Sequence, residues 1–318
     1  MTNINGQVAL VFPGQGCQSV GMGADIYQSV PAAREMLDRA DQILDINLST
    51  LCWEGPQETL NDTANTQPAI YATTLAIWTA LGSKIDCAQV ACVAGHSLGE
   101  FSALAVAGAI DYEDGLRLVR RRGEAMRDAG NTAPGGMAVI IGLADEVVAE
   151  LVAEANGDAE PEVWIANYNS PGQVVIAGGN EALGRAVELA KERKARRALP
   201  LAVSVACHTP YMRAAADRLA EALDATAFHA PWAPVVCNAD AVPIDDPAAI
   251  KDALLRQLYS PVRWVESIRG MVDGGVTHII EVGPKAVVSG LVKRIHRPTK
   301  LQSVTDLASL QAFEMGEG

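Results

Sequence analysis

Short apolar runs alternate along this chain with longer stretches in which hydrophobic residues recur every three or four positions. "QVALVF" at 7–12 reads as a buried strand, and Pro13-Gly14-Gln15-Gly16 closes it as a loop at its carboxyl end. Helical stretches follow, 69–81 among them, before "VACVAG" at 90–95 supplies a second buried strand. Two more apolar runs, "PVVCNA" at 234–239 and "THIIEVG" at 277–283, lie beyond the middle of the chain. Continuous hydrophobicity marks strands buried on both faces, so these runs predict a parallel sheet covered by helices on either side.

Between about residues 136 and 205 the rhythm changes. "MAVIIGL" predicts a strand and 144–155 a helix. "EVWIANY" and "GQVVIAGG" predict two strands separated by the turn signal Asn169-Ser170-Pro171-Gly172. A helix over 181–193 and a strand at "ALPLAVSV" complete the order β-α-β-β-α-β, the ferredoxin-like signature. The expected fold class is α/β, with a large subdomain from 1–130 and 206–318 and a ferredoxin-like small subdomain, 131–205, inserted into it.

Composition narrows the classes. A chain of 318 residues has room for one large domain or two, and 49% hydrophobic with 20% charged residues is ordinary for a soluble globular protein. The longest apolar candidate, "ALAVAGAI" at 103–110, is too short to cross a bilayer. The opening "MTNINGQVALVFPG" lacks a basic region and a cleavage-site pattern, so no secretory signal is expected and the cytoplasm is the default. Six scattered cysteines without C-x-x-C spacing predict neither a disulfide framework nor a zinc site. A net charge of −13 argues against general nucleic-acid binding and against docking on anionic lipid. Three local basic runs stand out: Arg120-Arg121-Arg122, "KERKARR" at 191–197 and "KRIHRPTK" at 293–300. They read first as solvated helix faces, and second as landing sites for an acidic partner.

Chemistry concentrates at "VAGHSLGEF", residues 93–101, where Ser97 centres a Gly95-x-Ser97-x-Gly99 pattern between a strand and a helix. Glycines allow the sharp turn and keep side chains off the hydroxyl, and Leu98 at the helix start has a backbone N–H free for a developing oxyanion. Ser97 is the candidate nucleophile, with a purely structural turn as the alternative. Its base must be a histidine. His96 adjoins the serine on a sharp turn and should point elsewhere, His278 lies inside an apolar strand, and His229 and His296 sit in loops. His208 ends an apolar run and precedes Thr209-Pro210, a helix-start signal, so it is the candidate base. No carboxylate between Ser97 and His208 has strand-end placement; a backbone carbonyl is the alternative orienting group.

Arg122 is the sharper clue. At ~100° per residue, the helix expected over 113–129 gathers its other charges on one arc. Arg122 falls instead in the apolar arc between Leu118 and Met126. A permanent cation facing inward needs a partner. A helix leaving Ser97 runs ~18 Å over residues 98–109, and an antiparallel return from Glu113 brings Arg122 back ~14 Å, near the serine's level. There a guanidinium suits a substrate carboxylate; the alternative is an internal ion pair with a protein acid.

With these residues in view, the chain resembles the malonyl-CoA:acyl-carrier-protein transacylases of fatty-acid synthesis, relatives of polyketide-synthase acyltransferase domains. The likeness covers nearly the whole chain: "FPGQG", "NDTANTQPAI", "GHSLGE", the step from Ser97 to Arg122-Gly123, "NYNSPGQVVIAG", His208, "RQLYSPVRW" and "EVGP", in order. It implies a hydrolase-like α/β core with the inserted ferredoxin-like unit. It further implies that Ser97 is acylated by malonyl-CoA with His208 as base and then acid. The backbone carbonyl of Gln257 would orient His208, and the Gln15 and Leu98 amides would form the oxyanion hole. Arg122 would hold the malonyl carboxylate, with Gln257 and Asn167 also counted on the substrate side. No metal or redox cofactor is implied. The implied partners are malonyl-CoA and an acyl carrier protein; the charge argues against nucleic acid or membrane, and a monomer is the expectation where the sequence itself is silent on oligomeric state.

Three positions depart from the family pattern. Cys207 stands where serine or phenylalanine is usual, Ala206 where proline is frequent, and Lys285 where glycine is common. The first two border the acyl α-carbon, so malonyl over methylmalonyl is the expectation there. Rival readings are a serine hydrolase or thioesterase on the same turn, a polyketide-pathway acyltransferase with a different extender unit, and a carrier-binding subunit with a vestigial site.

Overall fold

A computed structural model describes residues 7–201, 203 and 205–314. Its strands are β1 (Val8–Phe12), β2 (Val90–Gly95), β3 (Gly135–Ile141), β4 (Val163–Ser170), β5 (Gln173–Gly179), β6 (Arg197–Pro200), β7 (Val235–Val236), β8 (Pro243–Ile244), β9 (His278–Val282) and β10 (Lys300–Val304). One sheet runs β10-β9-β1-β2-β7-β8, parallel throughout except for the short β7–β8 edge. Every residue of β1 and β2 is buried, which is why both read as unbroken apolar runs. Leu10 and Phe12 pack on one face with Ile70 and Phe101, while Ala9 and Val11 pack on the other with Trp264 and Ile268. The β1–β2 register pairs Phe12 with Gly95, so both strands stop at one level. The loop after β1 and the turn after β2 therefore lie side by side at the carboxyl ends of the strands, where open α/β sheets build their sites.

The second sheet is antiparallel, β4-β5-β3-β6, and carries the helices Asp145–Asn156 and Asn180–Glu192. This is the ferredoxin-like order expected from the sequence, on a core of its own around Ile140, Leu151, Ile176 and Ala186. The parallel sheet flanked by helices is likewise as expected.

Several boundaries moved for identifiable reasons. The helix expected from Ala69 starts at Thr63, where the Asp62 side chain caps it by accepting from the Ala64 N–H at 2.9 Å. Pro68 inside this helix cannot donate to the Ala64 carbonyl; Arg120 Nη1 does so instead at 2.9 Å. The helix after the serine turn is Gly99–Val106, shorter than expected, because the amides of Ala107, Gly108 and Ala109 fold back on Ala103, Ala105 and Leu104. "PVVCNA" contributes only β7, since the chain turns at once, with Ala241 N–H donating to the Cys237 carbonyl. Of "ALPLAVSV", β6 takes the first part, and Ala202 and Ser204 lie outside the described residues.

"EVGP" has a structural explanation. The buried Glu281 carboxylate accepts from the amides of Val287, Val288 and Ser289 at 2.8, 2.8 and 2.7 Å, and so anchors the start of the helix Val288–Ile295. The basic runs differ among themselves. Arg120 bonds Ala64, Asn65 and Glu124, and Arg193 pairs with Glu150 and Glu154. Lys293, Arg294 and Arg297 line one surface hollow. Among the described residues no helix is long and apolar enough to cross a membrane.

Candidate active site

β2 delivers the chain into a turn that only glycines permit. A Cβ on Gly95 would lie 1.8 Å from the Gly99 carbonyl carbon, and one on Gly99 would lie 2.2 Å from the Phe12 carbonyl oxygen. Between them Ser97 takes φ 53°, a left-handed conformation that costs a non-glycine residue energy and persists because its surroundings hold it. Asn238 supplies part of that hold: its Oδ1 accepts from the Ser97 N–H at 2.6 Å, and its Nδ2 donates to the Gly95 carbonyl at 2.7 Å.

The Ser97 hydroxyl lies 2.8 Å from His208 Nε2, and His208 Nδ1 lies 2.8 Å from the Gln257 carbonyl oxygen. A carbonyl only accepts, so Nδ1 carries the proton and Nε2 offers its lone pair to the serine. Burial, reinforced by the Arg122 charge, pulls the His208 pKa down to about 3, against the opposing pull of the Gln257 bond. The imidazole is neutral at pH 7, the form a general base requires. Of the other histidines, His96 lines the same cleft but turns from the serine, its Nε2 donating to Asn169 Oδ1 at 2.8 Å. His278 is buried in β9, and the His296 ring meets Thr299 at 2.7 Å.

Arg122 comes from the helix Tyr112–Thr132 and is fully buried. Nη1 donates to Gln67 Oε1 at 2.8 Å, and Nη2 donates to Gln257 Oε1 at 2.9 Å and to Ser97 Oγ at 3.2 Å. Its Nε has no hydrogen-bond partner among the described residues. Burial lowers its pKa to about 10, so the cation survives at neutral pH. All its partners are neutral oxygens; it forms no ion pair with a carboxylate among the described residues. The guanidinium thus sits beside the serine, as the helix geometry predicts, with donors left over.

A cleft of about 390 Å³ opens over this group, lined by Gln15, His96, Ser97, Asn167, Asn169, Cys207 and His208, with Met126, Met137 and Val175 as apolar wall. Neither the Gln15 nor the Leu98 amide N–H donates to another group among the described residues; Leu98 adjoins the serine in sequence and Gln15 lines the cleft with it. Asn167 belongs to β4, whose link to the 256–264 segment is closed by Val262 N–H donating to the Ala166 carbonyl and Tyr168 N–H to the Val262 carbonyl, both at 2.9 Å. Gln257 differs from its expected place on the substrate side: it is fully buried, with its side chain behind Arg122 rather than in the cleft. Cys207 is half-buried at the cleft wall, and burial lifts its thiol to about 11 despite Arg122, so it stays protonated. A larger cavity of about 750 Å³ lies between β3 and the helix Asn180–Glu192, and neither serine nor histidine lines it among the described residues.

Three members of the constellation escaped sequence reasoning: Gln67, Asn238 and Glu100. Glu100 Oε2 accepts from the Asn238 N–H at 3.0 Å and from Gln257 Nε2 at 2.8 Å. Burial raises its pKa to about 7, opposed by those two bonds and by the Arg122 charge. Their only sequence signal was membership of "NTQPA", "GHSLGE" and "PVVCNA", none of which discloses a contact.

A turn-mounted serine hydrogen-bonded to a neutral histidine is the arrangement of enzymes that carry acyl groups as a serine ester. The acyl transferase domain model matches residues 9–311, and the chain belongs to that family. It is 46% identical over 310 residues to the malonyl CoA-acyl carrier protein transacylase of Salmonella typhimurium, covering 96% of this chain and 98% of that one. It superposes with TM-score 0.91 on the acyl carrier protein S-malonyltransferase of Vibrio cholerae, at 47% identity, covering 96% of this chain and 99% of that one. A TM-score of 0.91 at 43% identity, covering 96% and 98% of the two chains, relates it to the malonyl-transacylase of a type II polyketide system solved with its acyl-carrier protein.

Proposed function

We propose that this acyltransferase moves a malonyl group from coenzyme A to the phosphopantetheine thiol of an acyl carrier protein by way of a malonyl ester on Ser97. In the first half-reaction His208 Nε2 takes the Ser97 hydroxyl proton while Oγ attacks the thioester carbonyl carbon. The oxyanion sits on the Gln15 and Leu98 amides; when it collapses the C–S bond breaks, and His208 returns the proton to the departing sulfur. In the second, the carrier thiol gives its proton to His208 and attacks the malonyl ester, and Ser97 Oγ leaves with that proton. No step needs a metal or a redox group.

The observation that carries this reading is the buried Arg122, 3.2 Å from Ser97 Oγ and without an acid of its own. A malonyl carboxylate supplies the missing charge, and a hydrolase for neutral esters has no use for the cation. Holding the carboxylate through both half-reactions also favours a positioned thiol over free water. Asn167 borders the same cleft, between residues 131–205, read as the small subdomain, and the large one formed by 1–130 and 206–318. We place the enzyme in the cytoplasm as a monomer; the surface hollow of Lys293, Arg294 and Arg297 supports an acidic carrier despite the net charge of −13.

Intact-mass measurement after exposure to malonyl-CoA, with and without carrier protein, tests the proposal. A malonyl adduct that Ser97→Ala abolishes and that carrier discharges as malonyl-carrier is expected. Hydrolysis indifferent to carrier would favour the thioesterase, an equal response to methylmalonyl-CoA a different extender unit, and absence of any adduct a vestigial site.

A further inference from the structure

Glu100 takes no part in the proton transfers above, yet it stands behind the Ser97 turn and Gln257. It is 1% exposed, in the first turn of the helix Gly99–Val106. Its carboxylate receives the Asn238 backbone N–H, and the Asn238 side chain in turn spans Gly95 and the Ser97 amide. It also receives Gln257 Nε2, whose remaining hydrogen goes to the Ser97 carbonyl at 3.0 Å.

These bonds decide which way the Gln257 amide faces. The Ser97 carbonyl only accepts, and Glu100 Oε2 is the accepting oxygen of the Asn238 N–H, so the NH₂ end faces Glu100 and Ser97, leaving Oε1 toward Arg122 Nη2 at 2.9 Å. Turned over, the amide would oppose donor to guanidinium on one side and acceptor to acceptors on the other, each an unmet buried group. The two amide ends look alike in shape; only their partners distinguish them.

We infer that Glu100 is a positioning residue for acyl selection: by orienting the Gln257 amide it holds the Arg122 guanidinium where the acyl carboxylate arrives beside Ser97. The inference rests on Arg122 receiving that carboxylate. Because the effect passes through Gln257, it concerns the binding of malonyl over acetyl more than the proton transfers, which use the Gln257 main chain.

The test compares Glu100→Ala, Glu100→Gln, Gln257→Leu and the Glu100→Ala/Gln257→Leu double variant, with malonyl-CoA and acetyl-CoA, per active site counted by serine acylation. Glu100→Ala should lower the malonyl-to-acetyl ratio of kcat/KM about tenfold, mainly by raising KM for malonyl-CoA. Glu100→Gln still offers an oxygen to both donors and should stay within about threefold of wild type, as a rescue. Gln257→Leu should match Glu100→Ala, and the double variant should be no worse, since both act on one contact. An unchanged ratio in Glu100→Ala, or multiplied losses in the double variant, overturns the inference. Should Glu100→Ala not fold, Glu100→Asp, which withdraws the acceptor by ~1.5 Å, should show the KM effect; failure of both to fold makes Glu100 a structural acid and overturns it too. Wild type keeps the two readings apart: if it shows no malonyl preference the proposed function fails, whereas a selective wild type with an equally selective Glu100→Ala sinks this inference alone.

Discussion

At Arg122 a guanidinium has left water and gained neutral oxygens from Gln67, Gln257 and Ser97, with the nearest acid, Glu100, held off behind the Gln257 amide rather than in contact. Such a cation is solvated by dipoles and has no carboxylate in contact among the described residues, the condition our proposal of a selecting role rests on. Replacing it with alanine should lower kcat/KM for malonyl-CoA about 100-fold, in line with the loss of charge-assisted bonds, while acetyl-CoA loading changes by less than about tenfold. Steady-state kinetics with the two thioesters checks this; equal losses on both would remove Arg122 from selection. The same charge acts on His208. Burial is the first cause of its depressed pKa and Arg122 the second, so the acid limb of kcat/KM should lie well below pH 6.5 in wild type. In Arg122→Ala one depressing influence is gone and the limb should move toward higher pH; a pH–rate profile of each enzyme reads the shift directly.

The serine turn was legible because its requirements are local. An apolar strand, two glycines and a helix start occur within a few residues, and the steric reason for the glycines is backbone against backbone. Gly95→Ala should therefore cost about 3 kcal/mol or more, or displace Ser97 outright, because the group in the way is main chain and has no rotamer to adopt. Denaturant unfolding with serine-acylation stoichiometry would measure both effects, and a stable, fully acylated variant would contradict the geometry. Asn238 was not legible in the same way. "PVVCNA" reads as a strand, but the sheet uses only Val235 and Val236, and Asn238 reaches Ser97 from the turn beyond. The helix Thr63–Leu81 is a similar case: the sequence predicts it from Ala69, and the donor that serves the Ala64 carbonyl in place of the missing Pro68 N–H is Arg120, distant in sequence.

Across the whole molecule the buried histidines set an acid sensitivity. His208, His96 and His278 all have pKa values lowered chiefly by burial. Unfolded, each takes up a proton near pH 6.5, so below that the unfolded state binds more protons and stability falls toward the folded-state values. Glu100 works in the opposite sense between pH 7 and 4.5, where the folded acid is already protonated and the unfolded one is not, and it offsets part of one histidine's contribution. The thermal midpoint should drop from pH 7.5 to pH 5, and drop less in His208→Asn, which has no proton to bind. Calorimetry over that range decides; identical slopes would assign the sensitivity to other groups.

By itself the sequence determined the periodicities, and with them the parallel and ferredoxin-like sheets, the strained serine turn and the inward cation on an amphipathic helix. These follow from neighbours along the chain, where spacing and side-chain type state the geometry. Tertiary structure alone decided which oxygens Arg122 touches and that Glu100 and Asn238 stand behind the serine. Those contacts join residues 25 to 160 positions apart, and no local pattern encodes which of many polar side chains will share a buried hydrogen bond.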